Sequence, residues 1–587
     1  MNIGIKHFLQ LPRSFLGAVA ACTLLLGPVR LPQNAADSPY LVPSSSSSPS
    51  VTAPDSTFVV NSTADAPDAD SANGLCATAG GACTLRAAIM EANFTPAADI
   101  ITLPSGVYLL TRPGYDDIAL VGDLDITAPI TITGAGAGVT IVDGNGAVTG
   151  DRVFQMLQYA GRVNLSGMTI RNGSIPTLRG GGILYNNPNG GGFPSFLNLN
   201  NVVLEGNHAM EGAGLNAFGV RVGLQNTTVR NNTTTDSGNG DGGGIFLVDS
   251  IMTMRDSQVY NNSAVRGGGV AQFSGALTTR IEHSEIYSNT AIDSGGGIYN
   301  DPNSRLTILN SNLHNNNAGS NGGAISIEIT LVISDTVLEA NHAALKGGGI
   351  FTSNYSNQSI SGSTFSHNTA QYGGAIADDN PFATNSIMTL VNSTLSGNSV
   401  SHDGAGIYAT NNANIRLYNV TIANNVLSRL IGTFNPMRGG GVFFADTSVI
   451  TAQNTLIADN YYTNNSSIAT PNDCYNTQTT NSLNSLGWNL IETTSNCLIS
   501  GTTFGNITGQ DPQLGPLGLN FGATQTQALL PGSPAIDAGQ QPACTGSIGA
   551  ILTTDQRGFA RPGGPRCDIG AFEYYTVFSA FLPVVQR

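Results

Sequence analysis

A Gly-Gly-Gly triplet, or a one-residue variant of it, recurs down the middle of this chain. The triplets start at Gly180, Gly212, Gly242, Gly267, Gly295, Gly322, Gly347, Gly373, Gly404 and Gly439, with successive starts 25–35 residues apart. A period of this size restricts the chain to a solenoid, an array or a propeller. A second repeat runs in phase with the first: an apolar residue followed three positions later by Asn. These are Asn207, Asn232, Asn262, Asn289, Asn316, Asn341, Asn368, Asn398, Asn425 and Asn460. One unit is therefore a short strand ending in Asn, a polar turn, two or three small residues, and a strand opening with Ile, Val or Leu.

Propeller blades need about 40 residues and four strands; most units here are too short for that. The apolar runs are also too short for helices, and β-branched and aromatic residues dominate them. A coil of this size cannot bury its apolar residues alone, so it must stack on its neighbours, at roughly 4.8 Å per coil. The expected fold is all-β: a right-handed, single-stranded parallel β-helix with a short N-terminal capping helix and a disulfide-linked C-terminal β domain. A residue that recurs once per coil becomes a ladder. Asn suits an inward-facing ladder because side-chain amides hydrogen-bond along a stack. Asn also tolerates the left-handed backbone of a tight turn, and Gly at the other corner supplies close backbone approach.

The GGAI tetrapeptides at Gly322 and Gly373, with FSHN at Phe365–Asn368, are similar to the repeats of bacterial polymorphic outer-membrane proteins, which are surface-exposed β-helix adhesins. The looser repeat covers roughly residues 160–460. No run of amphipathic strands follows it, so the membrane barrel of that family is not expected. CTLRAAIMEAN at Cys83–Asn93 resembles the CSLREA domain that precedes β-helices in secreted bacterial proteins, with Ala87 where that family carries Glu. Its LRAAIMEAN portion reads as a short helix with Leu85, Ile89 and Ala92 on one face, placed to plug the open end of the core. GSPAIDAG at Gly532, DQRGFARP at Asp555 and CDIGAFEY at Cys567 resemble a choice-of-anchor Q domain. The resulting division is a signal peptide (1–36), a Ser/Pro-rich spacer (37–56), a CSLREA-like cap (57–110), the β-helix (111–473), the C-terminal domain (474–575) and a tail (576–587).

Lys6, His7 and Arg13 precede the apolar run Phe15–Gly27, which is too short to span a bilayer and fits a signal core. VAAC at Val19–Cys22 resembles a lipoprotein cleavage box. Beyond Cys22 six cysteines remain, in three local pairs: Cys76 with Cys83, Cys474 with Cys497, and Cys544 with Cys567. That grouping suggests three bridges in an oxidising compartment, although six cysteines allow 15 connectivities. No Cys/His spacing for zinc is present. Only 10 % of the 587 residues are charged and the net charge is −15, which argues against nucleic acid and anionic lipid.

A glycosidase needs two carboxylates flanking one bond; a lyase needs carboxylate calcium ligands and a base. The best local cluster is Asp378 with Asp379, just after a GGAI strand, and Asp403 follows one unit later at a different phase. Asp241 and Asp293 share a position before the triplet. All read as solvated turn residues. His208 and His342 occupy equivalent places five coils apart, about 24 Å, and cannot share a metal; His314, His367 and His402 also fall at or near turns. No GxSxG or phosphate-loop motif is present. The expectation is therefore an exported cell-surface or secreted β-helix, monomeric and without a transmembrane span, cofactor or metal. It is non-catalytic and serves adhesion or binding of glycans or other surface components. The alternatives are a polysaccharide lyase or glycoside hydrolase, and a structural envelope protein.

Overall fold

The computed structural model describes residues 56–575, except 189–194, 236–237, 239, 274, 276–277, 303, 329, 354–356, 382–385, 429–437, 464–468 and 478–481. The signal peptide, nearly all of the spacer and the tail lie outside the described residues. The chain folds as an all-β parallel solenoid of about 12 turns.

Each repeat lays down four short strands. In one coil these are Arg221–Gln225, Thr228–Arg230, Thr233–Thr234 and Ile245–Val248. Each pairs in parallel with its counterpart one coil on, so Val222 faces Met252, Val229 faces Val259 and Ile245 faces Val270. The two halves of the first sheet meet at a bend, and the Gly-triplet strands form a sheet of their own, 13 strands long. Inward positions are apolar and almost wholly buried: Leu224, Met254, Ile281, Ile308 and Ile333 make one such column. Alternation along each strand sends the intervening residues outward.

The Asn ladder runs inside this stack, and every member is at most 1 % exposed. Asn207 donates from its backbone N (3.1 Å) and its Nδ2 (3.0 Å) to Oδ1 of Asn232, and Asn232 donates in the same way to Asn262. The pattern continues unbroken through Asn289, Asn316, Asn341, Asn368, Asn398 and Asn425 to Asn460. Each Nδ2 also reaches a carbonyl one coil back, as Asn232 does to Leu204. Because every amide donates forward, the last rung needs an acceptor. Asp473 supplies it, its Oδ1 taking both bonds from Asn460 and its Oδ2 taking Thr493 N. At the first rung Asn207 Oδ1 accepts from Gly173 N.

The expectation that the ladder Asn itself takes the left-handed turn is corrected. That conformation belongs to the residue before it in all ten rungs, from Gly206 (φ 63°), Asn231 (55°) and Asn261 (54°) to Asp459 (55°). The turn is thereby made one residue early, and the ladder side chain is left free to point inward. The phase-lock of the two repeats has a steric cause. A Cβ built on Gly244 would lie 2.6 Å from the carbonyl of Gly269 and 3.1 Å from Nδ2 of Asn262. The third triplet position therefore sits against the ladder.

A second ladder went unread in the sequence. After each left-handed bend residue of the first sheet stands Thr227, Ser257, Ser284, Ser311, Thr336, Ser363 or Ser393. The backbone N of each donates to the hydroxyl of the next at 3.0–3.4 Å.

The N-terminal end is covered by a helix. The helix Leu85–Ala92 is capped by Thr84, whose Oγ1 accepts Ala87 N, and all eight residues are buried. Leu85, Ile89 and Ala92 join the solenoid core. The helix also satisfies the open edge of Leu124–Ile126, the first strand of the triplet sheet. Arg86 donates to the carbonyls of Asp123 and Gly122, and Asn93 donates to Asp125 O while accepting Thr127 N. Exposed strand edges otherwise template association. The parallel pairing is wider than the 111–473 read from the repeats. It begins with Thr57–Val59 on Asp99–Leu103 and runs to Ile507–Thr508 on Leu490–Ile491. The disulfides join the expected cysteines, with Cα–Cα distances of 5.0 Å for Cys76–Cys83, 5.2 Å for Cys474–Cys497 and 5.8 Å for Cys544–Cys567.

Residues 509–575 do not sit on the solenoid end. They return along its flank, in the groove formed by the bend of the first sheet. Thr364 Oγ1 donates to Gln525 O (2.6 Å), and the amides of Asn392, Asn419 and Asn454 donate to the carbonyls of Thr554, Thr545 and Asp568. Gln556 inserts between Thr364 and Thr394. Leu529, Ala535, Ile569 and Phe572 pack on Leu456 and Leu490.

Two outcomes are expected from this architecture. Asn316→Ala orphans the N and Nδ2 of Asn289 and should destabilise the fold by about 1–3 kcal/mol, read from the urea midpoint; an unchanged midpoint would contradict a buried, paired ladder. Gln556→Ala removes five hydrogen bonds, to Ser363, Thr364 and Thr394 of the groove and to Thr524 and Gln525. Limited proteolysis should then cut within 519–575 before the solenoid is touched.

Candidate functional site

The reading of Asp378 and Asp379 as solvated turn residues is corrected: both belong to the strand Ile376–Asp379, and alternation sends them to opposite faces. Asp378 points into the core, 1 % exposed, between Thr352 and Ala409 of the neighbouring coils. Asn380 Nδ2 donates to its Oδ1, whereas Oδ2 has no partner. Burial, with a smaller contribution from the nearby Asp379 charge, pushes its pKa up to about 7. Asp379 faces outward. Lys346 Nζ lies 2.5 Å from its Oδ2, and Asn411 and Thr410 donate to its Oδ1. Burial opposes its ionisation, but these hydrogen bonds and the Lys346 charge prevail and hold the carboxyl below the usual range.

Parallel stacking assembles a column immediately before the glycines. Asp241 aligns with Arg266, Lys346 with Tyr372, Tyr372 with Asp403, and Asp403 with Arg438. Salt bridges follow the stack: Asp241–Arg266 at 2.8 Å and Asp403–Arg438 at 3.0 Å. Asp293 does not share the phase of Asp241. The aligned residue is Ser294, whose carbonyl accepts Gly267 N as that of Arg266 accepts Gly242 N. Asp293 is exposed one residue earlier.

Beside this column the outward positions of the triplet sheet carry rings. Tyr372 lies 5.0 Å from Tyr408, Tyr408 5.2 Å from Phe443, and Phe443 6.1 Å from Tyr475, the last two pairs stacked. His402 lies 4.9 Å from Tyr372, and Arg438 lies over the Phe443 ring at 5.0 Å. Tyr372, Tyr408 and Tyr475 are half-buried. Burial pushes the Tyr408 hydroxyl up to about 12, with the charges of Asp379 and Asp403 adding to it. The site thus unites Lys346, Tyr372, Asp379, His402, Asp403, Tyr408, Arg438 and Phe443. Of these, the sequence singled out only Asp379, Asp403 and His402. The rings are scattered in sequence, and only the coil register aligns them.

The remaining histidines stay apart. His208 and His342 do occupy one column of the third sheet, separated by Thr233, Ser263, Thr290 and Asn317. His314 stacks on Tyr287 at 4.8 Å, and His367 lies 3.6 Å from Glu339. Among the described residues no three His, Cys, Asp or Glu side chains gather as a metal site. No described helix is long and apolar enough to cross a membrane.

Acid–base chemistry on a glycosidic bond needs one protonated and one ionised carboxyl in the same groove. Asp378 has a pKa suited to a proton donor but is sealed in the core. Asp379 is half-buried and Asp403 buried, each held in an ion pair. The face can accept and donate hydrogen bonds and present ring faces.

The pH dependence follows from Asp378. A carboxyl with a folded-state pKa near 7 and an unfolded value near 4 keeps its proton in the folded state over that interval. Stability therefore falls as pH rises from about 4 to about 7. Relative to wild type, Asp378→Asn should make this slope shallower and gain about 2–4 kcal/mol at pH 8, read from urea unfolding at several pH values; Asp123, Asp473 and Asp568, which burial also raises to about 7, keep the remainder of the slope. A parallel slope in the two proteins would place the titrating group elsewhere.

No family model matches the chain, and no curated protein matches it. Among solved structures, it is similar to the catalytic unit of a thermostable GH87 α-1,3-glucanase from Streptomyces thermodiastaticus strain HF3-3, at 13 % identity and a TM-score of 0.34. That match covers 73 % of this chain and 66 % of the glucanase. It is also similar to pectate lyase Pel9A, at 14 % identity and a TM-score of 0.28, over 89 % of this chain and 96 % of the lyase. A further GH87 α-1,3-glucanase catalytic domain, the D1069A variant in complex with tetrasaccharides, matches at 15 % identity and a TM-score of 0.29, over 65 % and 64 % of the two chains.

Proposed function

We propose that this chain is an exported, non-catalytic β-helix that binds glycans on the outer face of its Gly-triplet sheet, in a surface or adhesion role. The observation that carries the reading is the half-buried rings Tyr372, Tyr408 and Tyr475, aligned through the buried Phe443 and flanked by the Lys346–Asp379 and Asp403–Arg438 pairs. A sugar ring offers an apolar C–H face and a rim of hydroxyls. Aromatic rings take the first; fixed carboxylates and cations take the second, as convergent polar groups do in binding sites generally. The ion pairs neutralise the local charge, which favours a neutral glycan. Export is supported by three disulfides, by the signal-like first segment, and by the resemblances at both ends to domains of exported bacterial proteins.

The test is a glycan array run beside a reducing-sugar release assay on the retained glycans. Retention without release is expected. Tyr408→Ala should weaken retention about fivefold to twentyfold, the ~1–2 kcal/mol of one lost ring contact, while the melting temperature stays near that of wild type. Release of reducing ends above the blank would overturn the reading in favour of a glycan-degrading enzyme.

A further inference from the structure

One outer face carries charge opposite in sign to the rest of the molecule. The chain has 38 acidic residues against 23 basic ones. On the first sheet, ahead of its bend, six consecutive coils lay down the opening halves of Arg162–Arg171 and Phe196–Glu205, then Arg221–Gln225, Ile251–Arg255, Thr278–Glu282 and Arg305–Leu309. Their outward positions hold five cations, Arg162, Arg221, Arg255, Arg280 and Arg305, and one carboxylate, Glu282. That carboxylate is buried under two of the cations: Arg255 Nε lies 2.5 Å from its Oε2, and Arg280 reaches its Oε1. Arg162 and Arg305 are exposed, and among the described residues neither has an ion pair.

The cations are held in place. Phe196 stands between Arg162 and Arg221 in one column, with the two guanidiniums 4.2 and 6.0 Å from its ring centre. Attraction to the ring fixes them two coils apart, roughly 10 Å. In the next column Asn198 donates to Asn164 Oδ1 at 2.8 Å. Gly223 follows without a side chain, and a Cβ there would stand 2.8 Å from Asn198 Oδ1. Thr253, Arg280 and Thr307 continue that column. The basic strip runs five coil steps from Arg162 to Arg305, roughly 24 Å. Carboxylates return on both margins: Asp249, Asp301 and Glu328 in the turns leading into the strands, and Asp256 and Glu285 at and beyond the bend.

We propose that this strip binds a single chain of an acidic polysaccharide laid along the solenoid axis, a ligand class separate from the neutral glycan of the triplet sheet. Charge complementarity sets the anion: guanidiniums take carboxylate or sulfate groups bidentately. The acidic margins set the width, since they repel a broad polyanion or a charged membrane surface, whereas a thin chain stays within about 8 Å, one screening length, of the strip. Sugar is favoured over nucleic acid because bases need open aromatic platforms, and the one ring here is already flanked by two arginines. The amides of Asn164 and Asn198 and the hydroxyls of Thr253 and Thr307 meet sugar hydroxyls instead.

The test is biolayer interferometry of the full-length protein on immobilised alginate, dextran sulfate and uncharged dextran. Saturable binding to at least one charged polymer, and none to dextran, is expected; the preferred polymer identifies the anion as carboxylate or sulfate. The double variant Arg162→Gln/Arg305→Gln should weaken binding about tenfold or more, as should raising the salt from about 0.05 to 0.5 M. Thr253→Glu, which places a carboxylate in the middle of the strip, should weaken it similarly and serves if the double variant is unstable. Arg416→Gln, on the same sheet outside the strip, should bind as wild type does. Absence of saturable binding to both charged polymers, equal binding to dextran, or unchanged affinity in the strip variants would overturn the proposal. So would tighter binding of a single-stranded oligothymidylate, since the strip would then be a nucleic-acid surface. Tyr408→Ala should bind the acidic polymers as wild type does, so failure here and failure of the neutral-glycan reading are separately visible.

Discussion

The structure depends on one buried hydrogen-bond relay. Each ladder Asn places an amide in the core, where an unpaired polar group costs about 1–3 kcal/mol. It is met by the Asn one coil further on and by a backbone carbonyl one coil back. A one-residue slip of any strand would turn its side chains to the opposite face and break the relay on both sides. The ladder thus specifies register as much as it stabilises. It also crowds the neighbouring triplets, because the third triplet residue lies against the ladder amide and is Gly in eight of the ten, with Ala324 and Ala375 in the others. Its direction dictates its end, where an acceptor-only side chain, Asp473, receives the last donors. Burial pushes that carboxyl up to about 7 against the bonds from Asn460 and Thr493.

Once the interior is set, outward positions are free to vary, and the coil spacing organises whatever stands there. Opposite charges on consecutive coils become salt bridges, and rings become stacked columns such as Tyr372–Tyr408–Phe443–Tyr475. The consequence for chemistry is restrictive. Several carboxylates on the outer face, such as Asp241, Asp379 and Asp403, meet a cation from another coil, and one on the inner face loses solvent. Asp378 and Asp379, adjacent in sequence, illustrate the two fates. Burial raises the pKa of one, while Lys346, Asn411 and Thr410 lower that of the other.

The ends and the flank obey a different rule, because stacking stops there. At the first triplet-sheet strand, Arg86 and Asn93 stand in for the backbone of a missing coil. At the far end of the third sheet, Tyr461–Thr463 closes with Ala469–Pro471 in an antiparallel pair. The disulfide Cys474–Cys497 staples the segment beyond it. The bend groove runs along the repeats, and residues 524–571 contact it from Gly362 to Asn454.

By itself the sequence determined the solenoid, the inward Asn ladder, the capping helix at Leu85–Ala92 and the three cysteine pairs. Each is a periodic or local signal: a residue type returning once per coil, a face of a short helix, two cysteines close in the chain. The hydroxyl ladder from Thr227 to Ser393 was equally periodic but escaped, because Ser and Thr are common in turns and carry no distinctive pattern. Three features were decided only by the tertiary structure. Which of Asp378 and Asp379 faces the core depends on strand pleat. Whether Asp241 meets Arg266 or Asp293 depends on a register set by neighbouring backbones. Where residues 509–575 lie depends on contacts more than 100 residues apart, such as Asn454 with Asp568. Periodicity reports what must stack; it is silent on what the stack brings together from different coils, and that is where the candidate site resides.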